Sequence, residues 1–182
     1  CHVEDCGFKY NDAGSGAGAG FLLSSDGQIT NCVFDDNEAL ISGGALILYH
    51  GPITLTDCEF SSNTSGDGGA IRFFSDCDVT LDNCTFDDNI ATDRGGAMFV
   101  KIQPNALVDI RNCFIRNNVA DGHPDGTGGG IGGGGWNGDN TEPLLENTLV
   151  CGNTPDQIDG EDSYAGYVDN GGNAISETCP PL

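Results

Sequence analysis

Cys58-Glu59-Phe60-Ser61-Ser62-Asn63, followed by Gly68-Gly69-Ala70-Ile71-Arg72-Phe73, is the middle copy of a text that this chain repeats. Outward from it, the cysteine recurs as Cys6, Cys32, Cys58 and Cys84 at intervals of 26 residues, and as Cys113 after 29. Phe8, Phe34 and Phe86 follow their cysteines by two places, as Phe60 does, and Ile115 takes that place in the fifth copy. Five residues after each cysteine stands an asparagine: Asn11, Asn37, Asn63, Asn89 and Asn118. A degraded sixth copy, Asn147-Thr148-Leu149-Val150, leads to Asn153. Glycine pairs recur at Gly43-Gly44, Gly68-Gly69, Gly95-Gly96 and Gly129-Gly130. Self-similarity at this period is the signature of a solenoid.

Within each unit the apolar residues alternate, the mark of a half-buried strand. Ile53-x-Leu55, Val79-x-Leu81 and Val108-x-Ile110 precede the cysteines; Leu46-x-Leu48, Ile71-x-Phe73 and Met98-x-Val100-x-Ile102 follow the glycine pairs. Arg72 and Lys101 fall on the opposite parity, which faces outward. The cysteine and the aromatic residue two places later form a third inward pair. Three short strands joined by turns rich in Asn, Asp and Gly make one coil. In-register stacking puts equivalent residues about 4.8 Å apart in adjacent coils. Cysteine then stacks on cysteine and phenylalanine on phenylalanine. Each asparagine amide donates to the next, as in cross-β ladders. The expectation is an all-β solenoid of about six rungs with three short strands per rung. The repeats occupy residues 1–153, and a tail over 154–182 caps or extends them.

With 182 residues the chain has room for one domain with a core. Six lysines and arginines face 28 aspartates and glutamates, a formal charge of −22. Such a chain repels phosphate backbones, which argues against nucleic acid as a partner. No run reaches the ~20 apolar residues of a membrane helix, so no membrane span is expected. Nine cysteines without a single CxxC pair exclude zinc-type clustering. The chain opens at Cys1 with no signal peptide, so any export sequence lies outside it.

The Cys-x-Phe-x-x-Asn and Gly-Gly-Ala-Ile elements, as in Cys58–Asn63 and Gly68–Ile71, resemble the repeats of polymorphic outer-membrane proteins. More broadly they resemble the right-handed parallel β-helices of the pectate-lyase-like superfamily. The resemblance covers residues 1 to about 153. The tail, from Val150-Cys151-Gly152-Asn153 through Asp169-Asn170-Gly171-Gly172-Asn173 to Cys179-Pro180, is similar to the closing segment of large secreted bacterial β-helix proteins. The resemblance implies a right-handed parallel β-helix and a secreted or cell-surface setting. It implies no reaction.

The ladder cysteines Cys6, Cys32, Cys58, Cys84 and Cys113 admit two readings, disulfides between coils or a column of packed free thiols. In-register Cβ atoms about 4.8 Å apart exceed the 3.5–4.5 Å, roughly, of a disulfide, which favours thiols. Cys151 and Cys179 flank the tail outside the column and are the disulfide candidates; Cys1 and Cys77 are unassigned.

One insertion, residues 121–143, departs from the repeat and carries Trp136, His123 and Asp125. Loops on a rigid scaffold carry binding functions, and a tryptophan stacks on sugar rings, so these three are the carbohydrate-binding candidates. The competing reading is a glycine-rich loop whose tryptophan covers the edge of the stack. Hydrolases need two carboxylates at a set separation. Asp35-Asp36 and Asp87-Asp88 are adjacent turn-edge acids that face opposite ways, so no catalytic residue is assigned. Oxygen ligands for calcium are plentiful at Asp35, Asp36, Asp87, Asp88, Asp159 and Asp162, but none fits a known calcium motif. No cofactor is expected, with Ca2+ the one ion with candidate ligands. Asn63-Thr64-Ser65 and Asn83-Cys84-Thr85 fit the N-glycosylation pattern.

Two functions follow. The first is a structural or adhesive extracellular module, a stalk or filament subunit that associates end to end or with neighbouring modules of a longer chain. The second is a carbohydrate-active β-helix acting on polysaccharide through the Trp136 loop. Val3 aligns with Leu55, so the chain begins in the middle of a coil, which motivates the end-to-end expectation.

Overall fold

A computed structural model describes residues 1–23, 26–102, 106–122, 128–134, 142–160 and 166–180. Among these residues every regular element is a strand, and neighbouring strands run parallel. The chain coils through four sheets in succession, a right-handed solenoid of about six turns. One complete turn reads Ile53–Thr56, Glu59–Ser61, Thr64–Asp67 and Ile71–Ser75, before Val79–Asp82 begins the next. Sheet neighbours are always the same strand of the turn before and the turn after.

Register is in step with the sequence period. Val3 pairs with Ile29, Ile29 with Leu55, Leu55 with Leu81, Leu81 with Ile110 and Ile110 with Leu145, a column in the first sheet. In the second sheet the column is Phe8, Phe34, Phe60, Phe86, Ile115, Val150 and Ile175. The four rings stack with centroids 4.9, 4.7 and 4.8 Å apart and interplanar angles of 6°, 2° and 3°. That spacing is the strand repeat itself, which imposes parallel stacking on rings held at one register position. Phe34, Phe60, Phe73 and Phe86 are fully buried, each contributing roughly 1.5–3 kcal/mol of apolar burial.

Where three strands per rung were expected, five turns hold a fourth that alternation did not reveal, running Glu38–Ala39, Thr64–Asp67 and Ile90–Arg94 in three successive turns. Its buried residues include Ser65 and Asp67. Ser65 Oγ lies 2.9 Å from the carbonyl oxygens of both Asp67 and Gly68, and its one proton is shared between them. Polar groups satisfied this way occupy a core face without an apolar signature.

The corners explain the Asn, Asp and Gly content. Asp5, Asn31, Asp57, Asn83, Asn112 and Asn147 sit just before the cysteine position with φ between 48° and 55°, a left-handed conformation that Asn and Asp tolerate. Gly68 has φ +65°, and a Cβ on Gly69 would collide with the backbone oxygen of Gly96 in the next turn. Only glycine permits that approach.

The tail continues the stack. Ile158–Gly160 joins the fourth sheet, Val168–Asp169 the first and Ala174–Ser176 the second. After residue 153 the repeat text fades while the backbone ladder goes on.

Candidate functional site

The conspicuous polar feature of the interior is a column of amides. Asn11 Nδ2 donates to Asn37 Oδ1 at 2.7 Å, and Asn37, Asn63, Asn89 and Asn118 each donate to the next Oδ1 at 2.9 Å. Asn153 Nδ2 donates to Gln157 Oε1 at 3.0 Å and closes the series. The same oxygens accept the backbone N–H of the asparagine before, as Asn89 Oδ1 accepts from Asn63 N at 3.0 Å. The second amide proton reaches the carbonyl of the preceding turn's phenylalanine, as Asn63 Nδ2 does on Phe34 O at 2.9 Å. Every donor and acceptor of a buried asparagine is engaged, which makes an unexposed polar column tolerable.

Beside it runs the thiol column. Cys32, Cys58, Cys84 and Cys113 are buried and free, and Cys6 is exposed. Cys32, Cys58 and Cys113 donate to the carbonyl two residues back at 3.2, 3.2 and 3.1 Å. Thr148 occupies the next place and its hydroxyl makes the same bond, to Glu146 O at 3.0 Å. The hydrogen bond with Cys113, together with burial, pushes the Cys84 thiol up to about 12. Burial pushes Cys77, whose Sγ donates to His50 O, up to about 12 as well. Cys151 and Cys179 are joined by a disulfide with Cα atoms 5.0 Å apart, tying the last turns together.

The recurrent acids reach for neighbouring turns. Asp35 accepts from Lys9 Nζ at 3.1 Å and Ser61 Oγ at 3.0 Å, and these bonds hold its carboxyl below the usual carboxylate range. Asp87 accepts from Arg116 Nη2 at 2.7 Å and Asn117 Nδ2 at 2.9 Å. Asp36 and Asp88 are exposed corner residues with φ 55°. Asp159 lies on the strand Ile158–Gly160, away from both pairs. Among the described residues no three His, Cys, Asp or Glu side chains converge as a metal cluster would require. Trp136, His123, Asp125 and Asp162 lie outside the described residues. Of the two glycosylation-pattern asparagines, Asn63 is buried in the amide column, and Asn83 is exposed with Nδ2 donating to Asp57 Oδ1.

The outer face of the fourth sheet gathers residues that motif reading passed over. Ile47, Arg72 and Phe99 share one outward column; Tyr49, Phe74 and Lys101 share the next. Tyr49 and Phe74 stack at 5.0 Å. The Arg72 guanidinium lies 5.2 Å from the Phe74 centroid and 5.6 Å from that of Phe99, and Arg94 lies 4.6 Å from Phe99. Asp67 holds both arginines: Arg72 Nη1 and Arg94 Nε each donate to it at 2.9 Å. Arg72 Nη1 also donates to Ser42 Oγ. Burial lowers the Arg72 pKa, partly offset by Asp67, and the group remains a cation. Ser42, Ile47, Tyr49, Arg72 and Phe74 line an open groove of about 190 Å³. The outward parity of Arg72 was legible in the sequence, but its ring partners are Phe74 on its own strand and Phe99 in the next turn, a grouping that no motif spans.

No curated protein and no solved structure matches the chain. The family described as the right handed beta helix region matches residues 1–150. With its repeats, its parallel ladders and this match over most of its length, the chain belongs to the right-handed β-helix family.

Proposed function

We propose that the chain is a non-catalytic extracellular module with a structural or adhesive role, a rigid stretch of stalk or surface layer. The observation that carries this reading is the commitment of recurrent polar side chains to the adjacent turn. Asparagines bind asparagines, corner asparagines bind corner aspartates, and Asp35 and Asp87 bind cations one turn away. A carboxylate fixed as an acceptor between coils serves the stack rather than proton transfer. The Cys151–Cys179 disulfide supports an oxidising compartment, and a charge of −22 supports a soluble outer surface. The repeat resemblance to surface proteins points the same way. End-to-end contact with a second copy or a neighbouring module belongs to this reading.

The test pairs a turnover screen with a retention assay. The purified chain is incubated with plant, algal and bacterial polysaccharides, and new reducing ends and unsaturated uronates are followed. Saturable retention on cells or polysaccharide without product supports the proposal. Product release that scales with protein concentration and disappears in Trp136→Ala overturns it in favour of a polysaccharide-active β-helix. Localisation is checked by fractionating the producing cells: a chain found only in the cytosol with reduced Cys151 and Cys179 refutes the extracellular assignment.

A further inference from the structure

We infer that the last turn of the solenoid is a cap latched by the Cys151–Cys179 disulfide, closed while that bond is oxidised and released when a dithiol reduces it. The first observation is a change in what the interior columns carry. The first-sheet column is apolar from Val3 through Leu145, and its next member is Asp169. The cysteine column, which Thr148 continues, passes to Asn173, whose Oδ1 accepts from Thr148 N at 2.9 Å. Asp169 Oδ1 accepts from Gly171 N at 2.8 Å and from Asn173 Nδ2 at 2.6 Å. Asn173 Nδ2 also donates to Leu145 O at 2.7 Å. A further coil stacked on Asp169 would take its exposed carboxylate out of water, which is costly, so the apolar columns stop here.

The second observation is how lightly this turn is otherwise held. Ile131, Leu145 and Val150 of the turn beneath are fully buried. Ile158, Tyr167 and Ile175 of the last turn pack against the core only partly buried, and Val168, Asp169, Ala174 and Ser176 are exposed. Its strands Ile158–Gly160, Val168–Asp169 and Ala174–Ser176 are short. Asn147 N donates to Gly171 O at 2.9 Å, Asn170 N to Leu145 O at 2.8 Å and Ala174 N to Thr148 O at 3.0 Å. A segment with few buried apolar contacts and exposed hydrogen bonds is the one that opens first.

The disulfide closes around this segment. Cys151 is buried at the end of Leu149–Cys151, and Cys179 lies just past Ala174–Ser176, so the loop between them, with a separation of 28, carries those three strands. Gly152, with φ +64°, turns the chain beside Cys179 Sγ, where a Cβ would stand 3.3 Å from the sulfur. A crosslink across such a loop limits how far the opened segment departs. Reduction proceeds by thiol exchange: a dithiol attacks the half-buried Cys179 sulfur and Cys151 leaves. The second thiol of the reductant then displaces Cys179 from the mixed disulfide. The reductant ends as a cyclic disulfide, and its two protons end on Cys151 and Cys179. The apolar end formed by Ile131, Leu145 and Val150 is then open to water.

This inference goes beyond the structural or adhesive role and does not depend on it. The test is amide hydrogen exchange, read by mass spectrometry, of the whole chain with and without dithiothreitol. The expected result is that reduction speeds exchange at least about tenfold in peptides spanning Val168–Asp169 and Ala174–Ser176. Peptides spanning Ile53–Thr56 and Val79–Asp82 keep their protection. Cys179→Ser reproduces the rise without reductant, and dithiothreitol then adds nothing. Binding of a dye that reports exposed apolar surface rises in both cases. Exchange of the last turn within about twofold of the oxidised chain, in the reduced chain and in Cys179→Ser alike, overturns the latch. A rise that spreads equally through the central strands also overturns it, since the bond would then support the whole stack. Neither outcome bears on polysaccharide retention or turnover, so failure here is distinct from failure of the proposed function.

Discussion

Phe60 and Phe74 belong to one coil, yet Phe60 is sealed between Phe34 and Phe86 while Phe74 leans half-buried against Tyr49 on the outside. Both make stacked aromatic pairs at nearly the same distance. The interior pair recurs with the repeat, since its neighbours above and below are phenylalanines at the same register position. The exterior pair occurs where two turns place aromatic residues outward, and Lys101 follows in the next turn. Periodic contacts build the rod, and a local exception to the period marks a surface that is distinct from it.

The largest expected effect separates these two regions directly. Phe60→Ala empties a fully buried position and is expected to destabilise by about 3–5 kcal/mol. Phe74→Ala, by contrast, is expected to lose about 0.5–1.5 kcal/mol, the worth of an aromatic pair. Denaturant unfolding of both variants measures the difference, and equal losses would erase the distinction between interior and face.

Asn63→Ala tests whether the amide column belongs with the interior. It strands Asn37 N and Nδ2 without their acceptor and removes the donor to Phe34 O. Stranded buried groups cost about 1–3 kcal/mol each, so a loss of about 2–4 kcal/mol is expected. A loss below about 0.5 kcal/mol would mean that water replaces the amide freely.

The thiols give a pH signature of burial. Cys77 and Cys84 have folded values of about 12 against a reference of 9.0. The unfolded chain therefore releases these protons first, and the folded state binds more protons between the two values. Stability contributed by these thiols is complete below pH 9 and falls as pH rises towards 12. Urea midpoints between pH 8 and 11 should fall with a shallower slope in Cys77→Ala; identical slopes would place that thiol in solvent.

The smallest effect concerns the surface. Lys9 is about half exposed in its pair with Asp35, and Lys9→Ala is expected to leave the urea midpoint nearly unchanged, because solvent and salt screen an exposed pair. A larger loss, measured at high and low salt, would make the acidic surface part of the fold's support.

Much of this architecture was legible because a solenoid turns sequence distance into spatial distance. Residues 26 apart become neighbours, so a repeat seen as text is a contact seen in space. Cys58, Phe60 and Asn63 could be placed in columns for that reason, and Ile71 and Phe73 could be given an inward parity. The strand Thr64–Asp67 escaped notice because its buried residues, Ser65 and Asp67, are polar. Their satisfaction depends on Gly68 O, Arg72 and Arg94, which a hydropathy pattern does not register. The strand Ala174–Ser176 was missed because it lacks the Cys-x-Phe text, while backbone pairing asks only for register.

Sequence by itself determined the repeat, the parity of the apolar strands and the stacking of like on like. Those follow from chain period and hydrophobic alternation, which are local properties. Tertiary structure alone decided the groove at Ser42, Ile47, Tyr49, Arg72 and Phe74, because its walls come from successive turns and no motif spans them. It also decided that Asp67 would hold two arginines, a matter of side-chain reach across turns and of the need to neutralise charge where water is partly excluded.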